Sequence, residues 1–121
     1  MLIKSLGNCK EFIAGDDTIL REILNPLHDG ADLSYTLAHA KVRPGDTSLP
    51  HRLKTSTEVY CILRGEGIMY IDEESRKVKE GDAILIPPKS VQYIQNTGTC
   101  ELEFYCIVSP PWNAEDEEVI K

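Results

Sequence analysis

Two residues of this sequence have the types and spacing to do chemistry together: His51 and Glu58, seven positions apart in the stretch Gly45 to Gly65, GDTSLPHRLKTSTEVYCILRG. A neutral imidazole and a carboxylate suit Zn²⁺, Mn²⁺, Fe²⁺ or Ni²⁺, and the same two groups can hand a proton to and from a substrate. They can equally form an ordinary hydrogen bond with no chemistry attached. Either use requires that two segments meet. Leu49 to Leu53 and Glu58 to Leu63 read as strands, joined by the polar bend Lys54 to Thr57. Side chains on a strand alternate between faces, so His51 shares a face with Leu53, and Glu58 with Tyr60 and Ile62. Folding of the bend then aims imidazole and carboxylate into one space. Tyr60 can offer its hydroxyl to a ligand there or serve as a core aromatic.

The elements that position this pair are short and extended. Leu33 to Val42 alternates, with Tyr35, Leu37, His39 and Lys41 on one face, which points His39 outward. Gly65-Glu66-Gly67 reads as a tight hairpin into Ile68 to Asp72, and Asp72 to Ser75 closes another into Arg76 to Lys79. Ala83 to Ile86 is a short buried strand, Pro87-Pro88-Lys89-Ser90 a rigid loop, and Val91 to Asn96 and Cys100 to Val108 complete the series. Before residue 30, short extended pieces are broken at Gly7-Asn8 and Gly15-Asp16-Asp17, Thr18 to Leu24 is read as a strand, and His28 falls in a turn. Many short strands with Gly and Pro turns and no long helix indicate an all-β sandwich or barrel.

At 121 residues with 41% hydrophobic content the chain is sized for one domain. The barrel is expected over 33–109, preceded by N-terminal strands over 1–30 and followed by an acidic tail over 110–121, in which Glu115 to Glu118 reads as a solvated end. A net charge of −7 disfavours nucleic acid, whose phosphates are held by clustered Lys and Arg. No apolar run is long enough to cross a bilayer, and Met1 to Lys4 does not open a signal peptide. The reading is of a soluble cytoplasmic protein. Cys9, Cys61, Cys100 and Cys106 show no paired spacing and are expected as free thiols.

The spacing around the pair resembles the cupin superfamily. That family's first motif reads G-x5-H-x-H-x3,4-E-x6-G; here Gly45, His51, Glu58 and Gly65 keep every interval, and Leu53 stands where the second histidine would. The second motif, G-x5-P-x-G-x2-H-x3-N, is matched by Gly81, Pro87 and Asn96, with Lys89 at its second glycine and Gln92 at its histidine. The resemblance implies an antiparallel jelly-roll β-barrel, commonly a homodimer, with a pocket for a small molecule between its sheets. In metal-dependent members the three histidines and the glutamate hold the ion. By position this leaves His51, Glu58 and Gln92 as candidate ligands for a divalent transition metal (Mn, Fe, Ni or Zn), with Leu53 offering nothing. His51, Glu58 and Tyr60 are the candidate catalytic residues. The implied functions are a metal-dependent isomerase-type enzyme acting on a sugar or related compound, or a non-catalytic, metal-free small-molecule-binding module in which His51, Glu58 and Gln92 satisfy one another. His28 and His39 are not expected at the site.

Overall fold

Strand alternation divides the chain into two facing sheets. The computed structural model describes residues 1–120, so Lys121, the end of the expected acidic tail, lies outside the described residues. Strands β1 (Glu11–Ile13), β2 (Ile19–Leu24), β3 (Thr36–Val42), β5 (Thr57–Arg64), β8 (Ala83–Ile86) and β10 (Leu102–Ser109) form one antiparallel sheet in the order β1-β2-β3-β10-β5-β8. Strands β4 (His51–Leu53), β6 (Glu66–Ile71), β7 (Glu74–Lys79), β9 (Gln92–Asn96) and β11 (Glu117–Val119) form the other, in the order β11-β4-β9-β6-β7. One short helix, α1 (Pro26–Asp29), follows β2; Asn25 caps it through a hydrogen bond from the Leu27 amide, and Gly30 ends it. His28 therefore lies on this single helical turn. Among the described residues no helix is long and apolar enough to cross a membrane.

Each central strand sends alternate side chains inward. On β10, Leu102, Phe104, Cys106 and Val108 are buried between the sheets, and on β5 so are Glu58, Tyr60 and Ile62. Leu102, Phe104, Cys106, Tyr60 and Ile62 meet Val42, Met69, Ile86 and Ile94 in one core, in which the rings of Tyr60 and Phe104 lie 4.4 Å apart. Each large aliphatic or aromatic side chain buried there stabilises the fold by about 1.5–3 kcal/mol. Ala40, Tyr60, Phe104 and Cys106 of this core also line the cavity that Glu58 faces.

Two sequence expectations change at this level. Gly65 does not make a hairpin: β5 belongs to one sheet and β6 to the other, so Gly65, at φ 89°, is the corner where the chain crosses between them. The hairpin is the next connection, where Asp72-Glu73 joins β6 to β7 with Asp72 at φ 51°. The acidic segment does not end as a solvated tail either. Asp116 is buried, and Glu117–Val119 pairs with β4 as an added strand.

Gly67 sets how closely β6 approaches β9. A Cβ at this position would collide with the carbonyl oxygen of Gln95 and press on Leu102 Cδ2 at 3.2 Å. We expect G67A to lower stability by about 2–3 kcal/mol in urea unfolding. A loss below about 0.5 kcal/mol would show that the strands can part without cost.

Candidate functional site

His51 and Glu58 reach one cavity from opposite sheets. The bend between β4 and β5 carries the chain across the barrel, and the Asp116 carboxylate fixes it by accepting hydrogen bonds from Thr55 N (2.9 Å), Thr55 Oγ1 (2.7 Å) and Ser56 N (3.2 Å). Burial alone would raise that carboxyl, but these donors outweigh it and hold Asp116 below the ordinary carboxylate range. The cavity has a volume of about 300 Å³. His51, Glu58 and Tyr60 line it together with Asp16, Cys106, Trp112 and Glu117, and His28 stands at its rim.

Gln92 is opposite His51 in the β4–β9 pair and is fully buried. Its amide spans the two sheets: Nε2 donates to Glu58 Oε1 at 2.9 Å, and Oε1 accepts from the Tyr60 hydroxyl at 2.9 Å. Burial, then the charge of Glu58, keeps the Tyr60 phenol well above its ordinary range, so it remains a donor. Burial is also the chief influence on Glu58, raising its carboxyl from 4.5 to about 7; Gln92 and His51 oppose the rise, and the carboxylates of Asp16 and Glu117 add to it.

The His51 ring is oriented by its own strand. Nδ1 is 2.8 Å from the Leu49 carbonyl, which can only accept, so Nδ1 carries a proton and Nε2 is the nitrogen left for chemistry. Nε2 lies 3.5 Å from Asp16 Oδ2. Asp16 is held by an Asx turn, its Oδ1 accepting from Thr18 N (3.1 Å) and Thr18 Oγ1 (2.7 Å), while its backbone carbonyl accepts from Leu49 N (2.8 Å). The β1–β2 loop and the approach to β4 are thus tied to each other at the histidine.

Sequence reasoning brought His51, Glu58, Tyr60 and Gln92 to this place and missed Asp16, Trp112 and Glu117. Asp16 carried a usable signal, the Asp-x-Thr turn. Glu117 carried none, because it stands within a run of acids. His39 faces the outer side of its sheet, 3.1 Å from Glu103, and is buried there; it does not line the cavity. His28 does, exposed and 2.7 Å from Glu22. All four cysteines are free, and burial raises the Cys106 thiol well above its ordinary range, so it is no ready nucleophile.

The donors present do not fit a divalent ion of the family's kind. Gln92 turns its nitrogen to Glu58 and its oxygen to Tyr60, so the amide atom beside Glu58 is a hydrogen-bond donor and not a metal ligand. Leu53 is buried and apolar where a second imidazole would stand. Among the described residues, no three His, Cys, Asp or Glu side chains are grouped to hold a metal.

The family described as the cupin domain matches residues 38–108, more than half of the chain. The chain is a cupin. An uncharacterised protein of Methanocaldococcus jannaschii is 42% identical over 93% of this chain and 89% of its own length. A protein of Thermotoga maritima named as oxalate-binding is 30% identical over 68% of this chain and 65% of its own length. Among solved structures, a predicted oxalate decarboxylase of Thermotoga maritima superposes with TM-score 0.78 at 20% identity, over 90% of this cupin and 99% of that chain. The nucleoside dehydratase Pac13 of Streptomyces superposes with TM-score 0.79 at 20% identity, over 100% and 92%. These likenesses establish the antiparallel double-stranded β-helix of the cupin barrel.

Glu58 links the site to stability. Its carboxyl titrates near 4.5 when unfolded and about 7 when folded, so the fold binds more protons between those values and loses stability as pH rises through them. Above pH 7 this cost is about 3 kcal/mol. E58Q should therefore unfold at higher temperature than the native chain at pH 8, with the gap closing toward pH 5. A gap that stays constant with pH would contradict the raised carboxyl.

Proposed function

We propose that this cupin binds a small hydroxylated or carbonyl-bearing organic molecule in the cavity and moves protons on it without a metal. The observation carrying the reading is the buried Glu58 carboxyl, raised to about 7, facing the same cavity as an imidazole whose Nδ1 is committed to Leu49. A carboxylate with so high a value is a stronger base than an ordinary glutamate and is still half ionised at neutral pH.

Glu58 in its ionised form takes a proton from carbon next to a carbonyl. His51 Nε2, which carries no proton in the neutral ring, takes the proton of the neighbouring hydroxyl and passes it to the carbonyl oxygen, with Asp16 3.5 Å from that nitrogen to steady the ring during the transfer. Return of a proton to the neighbouring carbon completes an isomerisation; expulsion of a β-hydroxyl as water completes a dehydration. Sugars and sugar-like compounds carry both arrangements, and the dehydratase activity named for Pac13 lends weight to the second. Tyr60 serves through Gln92, keeping the amide aimed at Glu58, and is a positioning residue.

A second reading, a non-catalytic binding module, is favoured by one observation. Gln92 already joins Glu58 to Tyr60, so the polar cluster is held together without a substrate.

Deuterium uptake from D₂O into a panel of aldoses and ketoses, followed by NMR, separates these readings. We expect uptake that resists EDTA, climbs with pH to a plateau above about 7, and falls at least about 100-fold in H51A and in E58Q. Saturable binding with no uptake would favour the binding module. Activity that disappears with EDTA and returns with a metal would overturn both.

A further inference from the structure

The charges around the cavity define which molecules can enter it. Asp16, Glu58 and Glu117 line its wall, and among the described residues no lysine or arginine does. His28 at the rim is already 2.7 Å from Glu22, which leaves His51 as the one inner group able to carry positive charge. The carboxylates already burden one another: those of Asp16 and Glu117 each push Glu58 upward, and burial with Asp16 pushes Glu117 upward. Like charges brought together in a partly buried cavity repel more strongly than they do in water. An entering anion adds to this repulsion, and an entering cation relieves it.

A second observation points to a ligand and not merely to an acidic wall. The Glu58 side chain is more than nine-tenths buried, and its Oε1 takes the Gln92 amide, yet Oε2 makes no hydrogen bond among the described residues. It is not one of the sealed, unsatisfied atoms of the interior, so this oxygen opens onto the cavity with an unused acceptor. Around it, Phe12, Phe104, Tyr60 and Trp112 supply aromatic wall. Ring faces attract a cation that has lost its water.

We propose that the cavity takes a small organic cation, a protonated amine carried on an apolar or aromatic body, rather than a dicarboxylate or other anion. This rests on the reading of the cavity as the site of a hydroxylated or carbonyl-bearing ligand and adds that the ligand carries an ammonium and an apolar part. The ammonium is placed by Asp16 and Glu117, so that the free oxygen of Glu58 is left for the substrate carbon, with the apolar body against the aromatic wall. The assignment sets this chain apart from its relative named for oxalate, since a dianion would meet the carboxylates of Asp16, Glu58 and Glu117 with no lysine or arginine in the described lining to hold it.

Titration calorimetry at pH 8 with benzylamine, benzyl alcohol, benzoate and oxalate tests it, because the first three share a ring and differ in charge. Benzylamine is expected to bind at least about tenfold more tightly than benzyl alcohol, with no saturable binding of benzoate or oxalate. E117Q, whose strand pairing through the backbone is untouched, is expected to weaken benzylamine about tenfold and leave benzyl alcohol unchanged, which separates the cavity from the general attraction of an acidic protein. Equal affinity for amine and alcohol, an unchanged amine affinity in E117Q, or tighter binding of either anion would overturn the cation assignment while leaving the cavity as a ligand site. Failure of all four probes to bind would overturn the cavity reading and the assignment with it.

Discussion

A carboxylate buried between two sheets is the constraint on which the rest of this site depends. Among the described residues Glu58 has one hydrogen-bond donor, the Gln92 amide, and that donor comes from the opposite sheet. For it to arrive, β9 must lie beside β4, Tyr60 must hold the amide by its oxygen, and the bend between β4 and β5 must be pinned. Asp116 does the pinning, and β11 brings Asp116 into place. Ionising Glu58 works against folding, so the barrel gives up stability at neutral pH at the group best suited to exchange protons. Local conflicts of this kind are expected at functional sites, where consistency with the fold gives way to chemistry.

The strands were legible because side chains alternate. Leu102, Phe104, Cys106 and Val108 announce an inward face, and Ile19 to Leu24 is a strand as the sequence suggested. What period-2 patterning does not encode is which sheet receives the next strand. Gly65 therefore read as a hairpin although it is a corner between sheets, since a glycine at positive φ serves either purpose. β11 was hidden for another reason. Glu117, Glu118 and Val119 show no apolar alternation, and their pairing depends on backbone groups and on Asp116 rather than on a hydrophobic face.

At the site, the family's intervals located His51, Glu58 and Gln92 with no knowledge of the fold, because motif spacing reflects strand length and register. The same intervals were silent about chemistry. Asn96, the last residue of the second motif, is a structural group: its amide donates to the carbonyls of Val42 and Cys100, and its oxygen accepts from Gly98 N. Lys89, standing at a glycine position, keeps the left-handed conformation at φ 72°. The backbone of the motif thus persists while Leu53 and Gln92 remove two imidazoles. In their place stand a closed hydrogen-bonded bridge and an acidic wall contributed by residues outside either motif, Asp16 and Glu117.

Everything proposed for this cavity depends on Glu58 exchanging its proton near neutrality inside the folded barrel. Its most direct measurement is the ¹³C chemical shift of the Glu58 side-chain carboxyl against pH, in glutamate-labelled protein with the resonance assigned through E58Q. A midpoint at about 7 is expected. A midpoint near the ordinary 4.5 would contradict it.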